Sequence, residues 1–280
     1  MYESSKKRFP GSNNDMNGVD VSWQVTVLAY LDQQGLASDW SANTYKGLAG
    51  PTPPLDMFLC PTRPFVDRNL PQNSFVANRG FIARSSDPSP LNGGAIKAPP
   101  TGGYDYWDSR RLENGLFVDR YVPKTWTNKP PKNDLDVTLT DLYDGLTYTV
   151  VITENLQAGT WDQPGPCTTV GWIYAAEPGN TVDVSVITNT VLPPETPVPA
   201  VARINGVDST VSPPEPAPCS WQASRPSSRH SSGINACFAD GSTKFISADI
   251  EYAVYQSLLT VRDRKSDMPN RTRGLLYADF

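Results

Sequence analysis

Two short runs with alternating apolar positions, INACFA at 234–239 and STKFIS at 242–247, flank the dipeptide Asp240-Gly241. Asp-Gly is the pair that a two-residue type I′ turn asks for, because both turn positions need positive φ. The pattern therefore predicts a β-hairpin. With a two-residue loop, Ile234, Ala236 and Phe238 share the inward face with Thr243, Phe245 and Ser247, while Asn235, Cys237 and Ala239 share the outer face with Ser242, Lys244 and Ile246. After Ser247 the apolar period lengthens. Ile250, Ala253, Val254, Ser257, Leu258 and Val261 lie three or four apart, with Asp249 at an N-cap position and Glu251 in the first turn, so an amphipathic helix is expected to follow the hairpin.

Elsewhere the periodicity is weaker. Residues 1–20 are polar and read as a helix end followed by loop. Ser22 then precedes a helical stripe of Trp23, Val27, Leu28 and Leu31 that closes near Gly35. Prolines at 51, 53, 54, 61 and 64 leave at most a short edge strand at 58–60. Strands are predicted within 74–84, 116–122, 146–154, 170–175 and 182–191, with 201–207 a further candidate. Of these, LTYTVVITE at 146–154 is richest in β-branched and aromatic residues and is expected to be a central strand. The run LTDLYDG before it reads as a turn or short helical turn, and 92–106 as a Gly- and Pro-rich loop. No internal repeat is visible.

Composition narrows the class. The 280 residues are 38% hydrophobic, enough to bury a sizeable core, and 27 Pro with 20 Gly favour turns and short strands over long helices. A net charge of -5 provides no basic field, so nucleic-acid binding is a poor reading, and the cluster Arg262, Arg264, Lys265, Arg271 and Arg273 reads as a solvated basic tail. Cys60, Cys167, Cys219 and Cys237 form no CxxC pair, which disfavours a structural zinc site and leaves three disulfide connectivities open. Cys167 and Cys219, each beside a proline, are the favoured pair, and Cys237 reads as a buried thiol. No run of about 20 apolar residues is present.

The spacing of His230, nine residues, then Asp240-Gly241, with Gly233, Asn235 and Phe238 between, resembles the C-terminal H-X9-DG motif of a prepilin-like family of planctomycete-type bacteria. FPG at 9–11, WQVTVLAYLDQQ from Trp23, FLCP at 58–61, and LTDLYDG (with Asp141, Asp144 and Gly145) leading to Glu154 follow in the family's order. The chain departs from the pattern across 159–224, a variable Pro-rich insertion, and in having Ser231-Ser232 where a Gly of the family's usual pair would fall. The resemblance implies an α+β fold, a single pilin-like head with an N-terminal helix packed on an antiparallel sheet. It also implies an anchor helix ahead of the segment YESSKKRFPG, missing from this sequence, that a prepilin peptidase would cleave. In full-length form the protein is then expected outside the cytoplasm, tethered to the inner membrane or bundled with other pilin-like subunits, and soluble as given. Its role would be structural, in a type II secretion or type IV pilus-like system. The family is also catalogued as solute-binding, which implies an alternative: an extracytoplasmic module binding carbohydrate or another small solute.

The candidate chemistry is sparse. His230 is the one histidine, and with Ser227, Ser228, Ser231, Ser232 and Asp240 it supplies the residue types of a hydrolytic triad. There is no GxSxG elbow, however, and a nucleophile adjacent in sequence to its base is rarely placed for attack. The expectation is no enzyme and no cofactor, with His230 hydrogen-bonding backbone at the start of the hairpin. Calcium at Asp240 is the one metal to weigh, since related pseudopilins hold calcium in their C-terminal loops, but the DxDxDG spacing is lacking there and at Asp136, Asp141 and Asp144. Asp141 and Asp144 are expected to cap turns, and Glu154 to pair with a cation or backbone at the sheet edge. Tryptophans 107, 126, 161, 172 and 221 are either core or a stacking platform for a glycan.

Overall fold

The computed structural model describes residues 2–42, 52–63, 70–81, 111–121, 136–165, 168–172, 198, 202–206 and 225–268. The strand expected at 182–191, the loop at 92–106, most of the 159–224 insertion, Cys167, Cys219, Trp107, Trp126, Trp221, Arg271 and Arg273 lie outside the described residues.

Among the described residues the chain is α+β. A helical turn α1 (Tyr2–Lys6) leads to a small hairpin, β1 (Asn13–Met16) and β2 (Val19–Ser22), then to α2 (Trp23–Val27), a 3-10 turn at Leu28–Tyr30 and α3 (Gln34–Ser41). The main sheet takes β3 (Phe75–Phe81), β4 (Val150–Glu154), β5 (Thr169–Trp172), β6 (Gly233–Phe238) and β7 (Thr243–Ser247) in the order β5-β3-β4-β6-β7, and α4 (Tyr252–Leu259) follows. Pairing is antiparallel except between β3 and β5, which run parallel. β4 is the central strand, as its composition requires.

The sheet separates two apolar clusters. On one face Val76, Val150, Val170, Trp172, Ile234, Ala236 and Phe238 pack with Tyr252, Tyr255, Leu258 and Leu259 of α4. On the other, Ala77 meets Trp23 of α2 together with Leu116, Phe117, Val118 and Val261. Successive residues of β3 thus feed opposite cores, the period-two alternation of a strand covered on both sides. Asn78, fully buried in β3, donates from Nδ2 to the carbonyls of Val150 (2.7 Å) and Leu259 (3.0 Å), tying strand, neighbour and helix together. A third cluster, with Val21, Val25, Leu28, Trp40, Phe58 and Trp161, sits under the N-terminal segment.

Several local expectations change. The terminal hairpin pairs Ile234 with Ile246 and Cys237 with Thr243, one residue off the register of a two-residue loop. The amide of Gly241 donates to Phe238 O and that of Phe238 to Ser242 O, so the loop is Ala239-Asp240-Gly241, with only Gly241 at positive φ, +83°. This is the three-residue loop in which a left-handed glycine forms a bulge. It buries Ile246 and leaves Phe245 52% exposed, reversing the expected faces of the second strand. The type I′ signal belongs instead to Asn17-Gly18, at φ 56° and 84°, which closes the β1–β2 hairpin where loop was expected.

Helix α4 begins at Tyr252 with no side-chain cap, and all eight of its residues are buried. It is therefore not amphipathic: Met268, Val198, Ala202 and Ile204 belong to the cluster that encloses it. Ser22 does cap α2, accepting from the Val25 amide, but Gly35 lies in the first turn of α3 rather than at the close of a helix. Residues 58–60 form no strand; a 3-10 turn occupies Asp56–Phe58. Residues 116–119 are buried without joining the sheet, and 202–206 form turns rather than a strand. No helix among the described residues is long and apolar enough to cross a membrane.

Candidate functional site

Three segments that are far apart in sequence meet at the C-terminal end of β4. Glu154 closes that strand between β3 and β6, with its side chain 6% exposed. Its Oε2 accepts from the backbone amide of Asn235 in β6 (2.9 Å) and more distantly from Asn235 Nδ2 (3.4 Å). Its Oε1 lies 3.1 Å from His230 Nε2 and accepts from Cys60 Sγ at 3.2 Å. The metal-capable atoms of Cys60, Glu154 and His230 all lie within 4.8 Å of one another, the one grouping of three such side chains among the described residues.

Each partner is placed by its own local structure. Cys60 follows the 3-10 turn at Asp56–Phe58 and opens a tight turn in which the Arg63 amide donates to Cys60 O. The Ser74 amide donates to Phe58 O and the Asn155 amide to Ser74 O, which fixes that turn beside the end of β4. His230 sits in a loop stapled by serines. Ser227 donates its amide to Glu154 O and its hydroxyl to Asn155 Oδ1, while Ser228 Oγ donates to Gly233 O and accepts from the His230 amide. Asn205 closes the loop from outside, accepting from the Ser228 amide and donating to Gly233 O. At Gly233 itself a Cβ would overlap the Ile246 carbonyl and the Phe245 ring, so the motif glycine is required by close strand approach.

The expected hydrogen bond from the His230 ring to backbone is thus replaced by one to a buried carboxylate. Glu154 is held by an amide, a thiol and an imidazole in the middle of the sheet's width, rather than at its edge. Ser227 and Ser228, set aside above as triad members, serve as loop staples, and Asp240 lies at the hairpin loop, where its Oδ1 accepts from the amide and hydroxyl of Ser242. Those bonds hold the Asp240 carboxyl below its ordinary range. Phe238 is buried in the α4-side cluster.

The LTDLYDG residues form a second, separate set. Asp141 closes a capping box with Thr138 at the start of the 3-10 turn Leu139–Asp141. Asp144 reaches further, accepting from the Asp263 amide (2.7 Å) and Thr260 Oγ1 (3.3 Å) beyond α4. Burial first, and the neighbouring Asp263 second, push its carboxyl up to about 7. Gly145 continues this turn at φ +102°.

An open cleft runs over the Glu154 cluster, lined by Cys60, Thr62, Arg63, Asn155, Ser228 and Arg229 among others. Two cations, Arg63 and Arg229, stand among its lining residues, and the Arg63 guanidinium is bonded to the carbonyls of Asn73 and Ala158. Trp161 and Trp172, by contrast, are fully buried and offer no stacking face. Cys60 and Cys237 are free thiols. Cys60, Arg63 and Arg229 were not singled out as site residues from the sequence, although FLCP carried part of the resemblance.

A family model described as "Protein of unknown function (DUF1559)", with the short name SBP_bac_10, matches residues 1–253. The chain belongs to the DUF1559 family. That short name is a solute-binding one. No curated protein and no solved structure matches the chain. The matched span of this DUF1559 protein takes in Cys60, Glu154 and His230, so all three members of the cluster lie within the family region.

Proposed function

We propose that this DUF1559 protein is a non-catalytic, pilin- or pseudopilin-like head that works outside the cytoplasm by assembling with other pilin-like subunits of a secretion or pilus-like system. The observation that supports this reading most is α1. Tyr2–Lys6 is helical, buries none of its residues and passes into the buried stretch 10–14, touching the rest of the chain where the Tyr2 ring meets that of Tyr30 at 5.3 Å and Ser5 Oγ accepts from the Tyr30 hydroxyl, so it is a largely exposed helical turn at the entry to a folded head. Three motif residues add support, because Asp141, Asp144 and Gly233 are engaged in internal bonds or close packing rather than offered to a substrate.

In-cell crosslinking tests the proposal. A photo-crosslinking residue at exposed Ser4 or Lys6 of the natural gene product should give a ladder of homologous subunits, and deleting the host's prepilin peptidase should slow the product's migration on a gel. Monomer alone, together with unchanged migration, would sink the proposal.

The cleft over Glu154 favours one alternative, that of a solute-binding module. Arg229 and the neighbouring hydroxyls suit a small anionic solute better than a glycan. Screening phosphates, dicarboxylates and oligosaccharides for a shift in melting temperature separates the two classes.

A further inference from the structure

We propose that Cys60, Glu154 and His230 form a binding site for a divalent transition metal, zinc above all, with a fourth coordination position open to the cleft. This goes beyond the assembly reading and stands or falls independently of it.

The donor set is the first argument. A thiolate, an imidazole and a carboxylate together suit zinc, whereas calcium and magnesium take oxygen alone. Distance is the second. Oε1 of Glu154 already lies 3.1 Å from His230 Nε2 and 3.2 Å from Cys60 Sγ. Tetrahedral zinc with ordinary bond lengths needs ligand atoms about 3.3–3.5 Å apart, so only the wider Sγ to Nε2 separation, within 4.8 Å, has to close. Cys60 lies in a turn and His230 in a loop, the two members that have freedom to adjust, while Glu154 is fixed in the central strand.

The surroundings agree. Glu154 Oε2 is held by the Asn235 amide, an outer partner that orients the carboxylate and leaves Oε1 for a metal. Zinc with one thiolate and one carboxylate is a neutral centre, so Arg229 at the cleft and Arg63, bonded to the carbonyls of Asn73 and Ala158, do not repel it strongly, and Arg229 favours a water-derived hydroxide or a small anion at the fourth position. On binding, the Cys60 thiol releases its proton to solvent, and the neutral imidazole carries its N–H on Nδ1, leaving the Nε2 lone pair for the metal.

The test is a cobalt titration of the reduced, chelator-treated full chain. One equivalent of Co2+ should bind with a thiolate-to-cobalt charge-transfer band, zinc should displace it, and about one proton should be released per metal in weak buffer. Cys60→Ser should abolish the band, and His230→Gln should weaken cobalt binding on the order of tenfold or more, since even an outer-shell loss costs that much. A folded wild-type chain that shows no such band overturns the proposal whether or not the variants fold. So does a band that persists in Cys60→Ser, or cobalt affinity unchanged in His230→Gln.

Discussion

His230 Nε2 and Glu154 Oε1 stand 3.1 Å apart across 76 residues of sequence, joining the loop before β6 to the end of the central strand. The carboxylate is the buried partner and the imidazole, at 27% exposure, the accessible one. Their loss should therefore be unequal. Glu154→Leu keeps the volume but leaves the Asn235 N–H without its acceptor, and should destabilise the fold by about 2–4 kcal/mol in urea unfolding. His230→Ala should cost about 1 kcal/mol. Equal costs would show that the imidazole, and not the backbone amide, is what holds the carboxylate in place.

The hairpin register has a direct test at two adjacent residues. Phe245 is 52% exposed and Ile246 6% exposed. Phe245→Ser should change stability by less than about 0.5 kcal/mol, while Ile246→Ser should cost more than about 2 kcal/mol. The opposite order would restore the two-residue loop.

The two hairpin glycines should respond differently to alanine. At Gly241 a Cβ meets open space, and only the left-handed φ opposes it, so Gly241→Ala should cost about 1–2 kcal/mol. At Gly233 the Cβ meets the backbone of β7. Gly233→Ala should cost more than about 3 kcal/mol and raise protease sensitivity across the whole hairpin.

Two acids give the protein an unusual dependence on pH. Burial, then Asp119 and more weakly Asp15, push the Asp20 carboxyl up to about 9 against the opposing pull of Arg79, and both its oxygens are buried without a hydrogen-bond partner. Asp15 is also its cross-strand partner. Asp144 is raised to about 7. Both carboxyls keep protons in the folded state that the unfolded chain has released above its value of 3.8. Their contribution is complete below that value and is lost as pH rises, through about 7 for Asp144 and about 9 for Asp20. Melting temperature should fall between pH 5 and 9, and Asp20→Asn should raise it at pH 8 while changing little near pH 4. A melting temperature flat over that range in the wild type would refute both assignments.

Much of this was legible from residue order. β-branched and aromatic enrichment located β4, an Asp-Gly pair located the terminal hairpin, and Ser22 marked the start of α2. What failed was decided at longer range. The hairpin register was settled by whether Ile246 or Phe245 fits beneath α4, which no turn rule contains. The full burial of α4 depends on covering segments remote in sequence, so its apolar stripe understated its environment. The β1–β2 hairpin is the exception, because Asn17-Gly18 is a local turn signal that stands among polar neighbours typical of loop. The cluster is half visible: FLCP, Glu154 and the H-X9-DG motif each stand out in the sequence, but period and spacing say nothing about which loops converge, so nothing local marks Cys60 as their partner.

The position of β4 in the sheet also constrains the order in which the chain can fold. β6 and β7 are separated by four residues and can pair at once, whereas Thr153 Oγ1 donates to Asn235 O across 82 residues and must wait for that loop to close. Contacts between Glu154 and His230 can form only after that slow closure. A probe at Cys60, whose thiol touches Glu154, would therefore lose reactivity late, after the hairpin is complete, and would time the final step of folding.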